Sequence, residues 1–173
     1  MVGTGVSNIP LYAFLCMLTS IGLGVYFYNT LIARWKKFLV LITCLVNATY
    51  YVLNNVIQSG VPVFDSMAYV ILSFTIVMLI FIYMHQLLNQ VNDEPLSMNI
   101  DFWFVTSQLF YFLGSFAIFL MYGYLTTKFL GNQLKSSTSL TWLWGLHNIL
   151  LFLSALLTLG SVIWISSRKK LPL

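Results

Sequence analysis

Two apolar runs decide the fold: Met67–Leu88, MAYVILSFTIVMLIFIYMHQLL, and Phe102–Tyr122, FWFVTSQLFYFLGSFAIFLMY. Neither contains Asp, Glu, Lys or Arg. As a helix, each is long enough to cross the roughly 30 Å hydrocarbon layer of a bilayer. The short linker between them carries Asp93, Glu94 and Pro95. The pair therefore reads as an antiparallel helical hairpin in a membrane, with the remaining segments packed against it.

Composition agrees. Of 173 residues, 60% are hydrophobic and 7% are charged, where a soluble domain carries about 25% charged residues. Mean hydropathy is +0.89. Such a chain has too little polar surface to face water, so the class is an integral membrane protein. The apolar runs are long and continuous, unlike the alternating segments of about 10 residues in membrane barrels. The expected fold is thus all-α, a polytopic transmembrane helical bundle forming one domain over residues 1–173.

Five spans are predicted, over about 9–32, 38–57, 67–88, 102–125 and 140–165. Pro10 suits the first turn of span one, where its missing N–H is no loss. Ser20, Gly22 and Gly24 make a small-residue patch, and the spacing of Ser20 and Gly24 admits a close neighbour. Span two holds Asn47, Asn54 and Asn55, amides that should face other helices rather than lipid. Asp65 or Ser66 would cap span three, Asp101 would cap span four, and 126–139 reads as a Ser/Thr-rich loop. His85 and Gln86 read as a solvated helix end, and Trp142 and Trp144 as interfacial anchors.

The net charge of +4 reads as topology, not as nucleic-acid binding. Arg34, Lys36, Lys37, Arg168, Lys169 and Lys170 fall on one side, and Lys128 and Lys135 on the other. The positive-inside rule places the N-terminus outside and the C-terminus in the cytoplasm. Residues Met1–Asn8 lack Lys and Arg, so the first span is expected to be retained.

Few residues could carry chemistry. No phosphate-binding loop, dinucleotide fingerprint, zincin pair or CxxC is present. No span contains a formal charge, which argues against carboxylate-driven pumping, voltage sensing and intramembrane metalloproteolysis. Cys16 and Cys44 fall at different depths, so a disulfide is not expected. His85 and His147 lie roughly 15–20 Å apart in depth, too far to share a haem iron. No cofactor or metal is expected. The best constellation lies in the outer half of the bundle. It comprises His147 and Asn148 on span five, Asn54 and Asn55 on span two, and Tyr122 and Ser115 on span four. These residues form either a polar pocket for a ligand, with His147 as donor, acceptor or protonation switch, or a set of interhelical hydrogen bonds.

Several local strings occur together: Asn8-Ile9-Pro10-Leu11-Tyr12, Phe64-Asp65-Ser66, Tyr83-Met84-His85-Gln86-Leu87-Leu88, Phe102-Trp103 followed by Tyr111-Phe112-Leu113-Gly114-Ser115, and Trp144 with His147-Asn148. Together they resemble a group of multispanning membrane proteins of Bacteroidota, whose related regions occur in or beside sensor histidine kinases. The group often has a His and a Glu near the first string, where this chain has Ala13 and no acid. The resemblance implies a multi-pass protein of the inner membrane and brings no catalytic residues.

The expected function is non-enzymatic. It is a sensory or accessory module acting through helix packing with another membrane protein or a second copy, in contact with the lipid bilayer and not with nucleic acid. The alternatives are an accessory subunit of a larger membrane complex and a small oligomeric transporter or channel.

Overall fold

The computed structural model describes the backbone of residues 9–57, 66–90, 95–128 and 133–169. It describes their side chains except at 9–13, 54–57, 128, 133–138 and 168–169. The described chain is all-helical: α1 (Ile9–Thr30), α2 (Arg34–Ile57), α3 (Ser66–Asn89), α4 (Ile100–Lys128) and α5 (Gln133–Lys169), with a 3-10 turn at Leu96–Met98 before α4. Four of these helices are long and apolar enough to cross a membrane, and α1 adds a shorter apolar stretch, Phe14–Thr30. Large apolar side chains lie exposed along every helix, among them Leu45, Phe81, Leu113 and Phe152. This surface suits lipid and not water, and the chain is a helical membrane protein.

The central helix is α3, which packs against α1, α2 and α4, while α5 packs against α4. Leu72, Ile76, Leu79, Ile80, Tyr83 and Leu87 of α3 are all nearly inaccessible. In lipid, apolar burial gives little net drive, because acyl chains are as apolar as leucine; close packing and hydrogen bonds decide which helices meet. The contacts show both. A Cβ built on Gly24 of α1 would collide with the Cys44 sulfur of α2, and one built on Gly114 of α4 would collide with Leu150 of α5. Gly22, two residues from Gly24, faces open space. Only the Ser20–Gly24 edge of the expected patch therefore serves the α1–α2 contact. Cys16 and Cys44 are not joined in a disulfide.

Polar side chains tie the helices in register. Asn47 of α2 donates to Thr43 O at 2.8 Å and to Thr75 Oγ1 of α3 at 3.0 Å, so this amide faces a neighbour as its cost in lipid requires. Gln86 corrects the sequence reading. It is buried, accepts from the Ile32 N–H at 3.1 Å and donates to Thr30 O at 3.1 Å. It closes the C-terminal end of α1, where helical carbonyls lose their partners. His85, its neighbour, is the exposed one and pairs with Asn89.

Two further boundaries differ from expectation. The cap of α4 is Asn99, whose Oδ1 accepts from Asp101 N at 2.8 Å and Phe102 N at 3.3 Å. Asp101, in the first turn, instead accepts a 3.0 Å bond from Tyr26 Oη of α1. The Tyr26 ring lies edge-on to Phe27, Tyr83 and Phe104. An anion in the first turn also suits the helix dipole. Helix α5 starts at Gln133, inside the expected loop, because no Gly or Pro lies between Gln133 and Leu140 to stop it and its opening residues, Gln, Leu and Lys, favour helix. Asp65, the other expected cap, lies outside the described residues.

These contacts place the C-terminal ends of α1, α3 and α5 and the N-terminal ends of α2 and α4 at one end of the bundle. Arg34, Lys36 and Lys37 open α2 there, with Lys37 Nζ 5.2 Å from the centroid of Tyr28.

Candidate functional site

The sequence of α4 repeats a polar residue every fourth position: Ser107, Tyr111 and Ser115. A four-residue step returns to nearly the same helix face, so these residues form one stripe. On α5, His147, Ser154 and Thr158 share a face by the same geometry. The stripes meet antiparallel across the Gly114–Leu150 contact. Ser107 Oγ and Thr158 Oγ1 lie 2.6 Å apart, and Ser154 Oγ donates to Ser107 O at 3.0 Å.

His147 is the focus of this seam. It is 7% exposed. Its Nδ1 lies 3.3 Å from Ser115 Oγ and its Nε2 lies 3.4 Å from Tyr111 Oη. Both hydroxyls can donate or accept, so a neutral imidazole, with one N–H and one lone pair, is satisfied in either tautomer. Aromatic rings enclose it. The centroids of Phe119, Tyr111 and Trp144 lie 4.9, 5.5 and 5.8 Å from the imidazole.

Of the residues singled out in the sequence, the structure brings His147 and Ser115 into direct contact. Tyr122 reaches the cluster through Trp144, with ring centroids 6.2 Å apart. Asn148 is exposed and turned away from the seam, because one residue along a helix is a rotation of about 100°. The side chains of Asn54 and Asn55 lie outside the described residues. Tyr111 and Phe119 join as cage walls. So does Trp144, which sits over His147 while Trp142, expected to share its role, is 71% exposed. The spacing of Trp144 and His147, three residues apart, already placed them on one face.

The arrangement holds an imidazole still. Both ring nitrogens are taken by hydroxyls of the same protein, and the walls are hydrocarbon. Among the described residues, no three His, Cys, Asp or Glu side chains come together. The geometry is that of a packed joint between α4 and α5. Ser115→Ala and Thr158→Val each remove one interhelical contact, and each should lower stability by about 0.6 kcal/mol, the usual worth of such a bond in a membrane. The sites are two turns apart, so unfolding of the double variant in detergent should show near-additive losses.

Comparison with family models, curated proteins and solved structures found no match to this chain.

Proposed function

We propose that the chain is a five-span, non-enzymatic module of the inner membrane, sensory or accessory in role, that acts through helix packing with another membrane protein or a second copy. The observation that supports this is the position of α5. It rests on α4 along one seam, and among its described residues much of the remaining surface is apolar and uncovered, with Phe152 at 63% and Ile163 at 60% exposure. A helix that meets one neighbour through hydroxyls, an imidazole and a glycine contact can be reseated by a partner at low cost, since each bond is weak and close packing carries the rest. The N-terminus lies outside and the C-terminus in the cytoplasm. The cationic first turn of α2 and the Lys169 end of α5 share one end of the bundle, which supports this orientation.

The test is purification from native membranes in mild detergent, followed by a native gel and mass spectrometry of the band. A band of fixed stoichiometry, containing a second membrane protein or a second copy, is expected. Phe152→Ala combined with Leu156→Ala should loosen it while the isolated chain stays folded. Migration as a single chain in every mild detergent overturns the reading.

A further inference from the structure

A second feature lies at the turn from α1 into α2, away from the α4–α5 seam. Helix α2 opens on Arg34, Trp35, Lys36 and Lys37. Its membrane-crossing stretch begins at Arg34 and runs 20 residues to Leu53, about 30 Å as a helix. That length matches the hydrocarbon layer, so the cations stand at the level of the lipid headgroups.

Aromatic rings hold these cations, and acids do not. Lys36 Nζ lies 5.7 Å from the Trp35 centroid, and Lys37 Nζ lies 5.2 Å from that of Tyr28 on α1. Arg34 is exposed. Asp101 is the one acidic side chain among the described residues, and its carboxylate accepts from Tyr26 Oη. None of the three cations makes an ion pair among the described residues. This end of the bundle carries Arg34, Lys36, Lys37, Arg168, Lys169 and Lys170 against Asp93, Glu94 and Asp101, six positive side chains less three negative, a surplus of three. The remaining counter-charge comes from outside the chain.

What lies below the cations sets the kind of anion that fits. Arg34, Phe38, Leu41 and Leu45 follow at steps of four, three and four residues, so they lie along one face of α2. That face is turned away from the protein: Phe38 is 62% exposed, Leu45 is 67% exposed, and Leu41 is exposed between them. Lys37, three residues from Arg34, flanks the top of the same face, and the exposed Trp35 flanks its other side. The face is cationic at the headgroup level and hydrocarbon below it. Its complement is a molecule with an anionic head and a long apolar tail. A free phosphate ion matches only the top of the face. A phosphatidylcholine head brings its own ammonium, which the cations repel, whereas a guanidinium takes two phosphate oxygens in one fork.

We propose that the α1–α2 turn binds an anionic phospholipid, its phosphate between Arg34 and Lys37 and an acyl chain along Phe38, Leu41 and Leu45. This requires only that the chain is a helical membrane protein, and stands whether or not α5 has a partner.

The full chain, immobilised in mild detergent, is equilibrated with equal amounts of dioleoyl-phosphatidylglycerol and dioleoyl-phosphatidylcholine, and the lipid it retains after washing is quantified by mass spectrometry. The tails are identical, so the ratio reads the head. Phosphatidylglycerol should be retained on the order of tenfold over phosphatidylcholine. Arg34 makes no hydrogen bond or ion pair with the described residues, so Arg34→Gln retains the fold. It should lower the ratio roughly fivefold, the worth of one cation at an anionic lipid surface. Arg34→Gln with Lys37→Gln, checked by an unchanged unfolding temperature, should bring the two lipids level. Lys169→Gln with Lys170→Gln lowers the charge of the same end by as much and should keep the preference. Washing with inorganic phosphate should release no more lipid than chloride of equal ionic strength. Equal retention of the two lipids by the unaltered chain, a ratio unchanged in Arg34→Gln, loss of the preference in the Lys169 and Lys170 variant, or specific release by phosphate overturns the proposal.

Discussion

Replacing Gln86 with alanine should lower the stability of the protein by about 2 kcal/mol, a loss set by unsatisfied, part-buried polar groups and not by volume. Gln86 spans α3 to α1 with two bonds, one to the Ile32 N–H and one to Thr30 O. Without it, a part-buried donor and acceptor at the end of α1 lose their partners beside the buried Leu31. For a chain of this length the loss corresponds to roughly 4–8 °C in unfolding temperature. Gln86→Met separates the causes, because it keeps nearly the same volume and removes both bonds. It should fall within a few tenths of a kcal/mol of the alanine variant. Full stability in Gln86→Met would show that shape, not hydrogen bonding, holds α1 to α3. His85→Ala, one position away on the exposed side, should change stability by less than about 0.5 kcal/mol.

Gly24→Val should be as damaging or more so, at about 3 kcal/mol, because it wedges α1 from α2. The added Cβ collides with Cys44 Sγ. That sulfur has little freedom: it sits on a one-torsion side chain and donates to Ser20 O, one turn from Gly24. Gly24→Ala should destabilise less, by about 1–2 kcal/mol, and the double variant Gly24→Ala, Cys44→Ala should recover most of it. Gly22→Ala is the matched control on the same helix, where nothing lies within 4 Å of an added Cβ, and it should be neutral. If Gly22→Ala and Gly24→Ala behave alike, or the double variant recovers nothing, the close α1–α2 contact is not what makes glycine necessary there. Gly114 is a softer case, since the atom in the way is the far end of Leu150, which can rotate aside.

Much of this architecture is written locally in the chain. The runs around Ser66–Asn89 and Ile100–Lys128 were legible as helices within one or two residues at most ends, because a continuous apolar run in lipid must satisfy its backbone internally and the helix does so within one segment. The start of α5 was placed too late, since a Ser/Thr-rich stretch reads as loop when nothing shows what it packs on. The cap of α4 fell two residues before the expected one, on Asn99: both Asn and Asp serve as caps, and which residue does so depends on where the chain leaves the 3-10 turn.

The candidate site was legible in part, and for a specific reason. Polar residues inside apolar helices stand out, so His147, Ser115 and Asn47 were visible as groups needing partners. What the sequence could not state was the partner or the face. A soluble helix reveals its buried side by amphipathicity. Here the lipid is as apolar as the core, so α3 is hydrophobic nearly all round and no pattern marks its inward side, whereas α4 shows only its polar stripe. Adjacent residues accordingly parted: His147 entered the α4–α5 seam and Asn148 turned outward, Gln86 closed α1 and His85 stayed exposed, Trp144 joined the cage and Trp142 did not. The sequence by itself determined that this is a bundle of apolar helices, because helix length and polarity are local properties. Only the tertiary structure decided which neighbouring residue faces protein and which faces lipid. That depends on helix rotation and close approach, set to within an ångström by contacts such as Gly24 on Cys44 and Gly114 on Leu150.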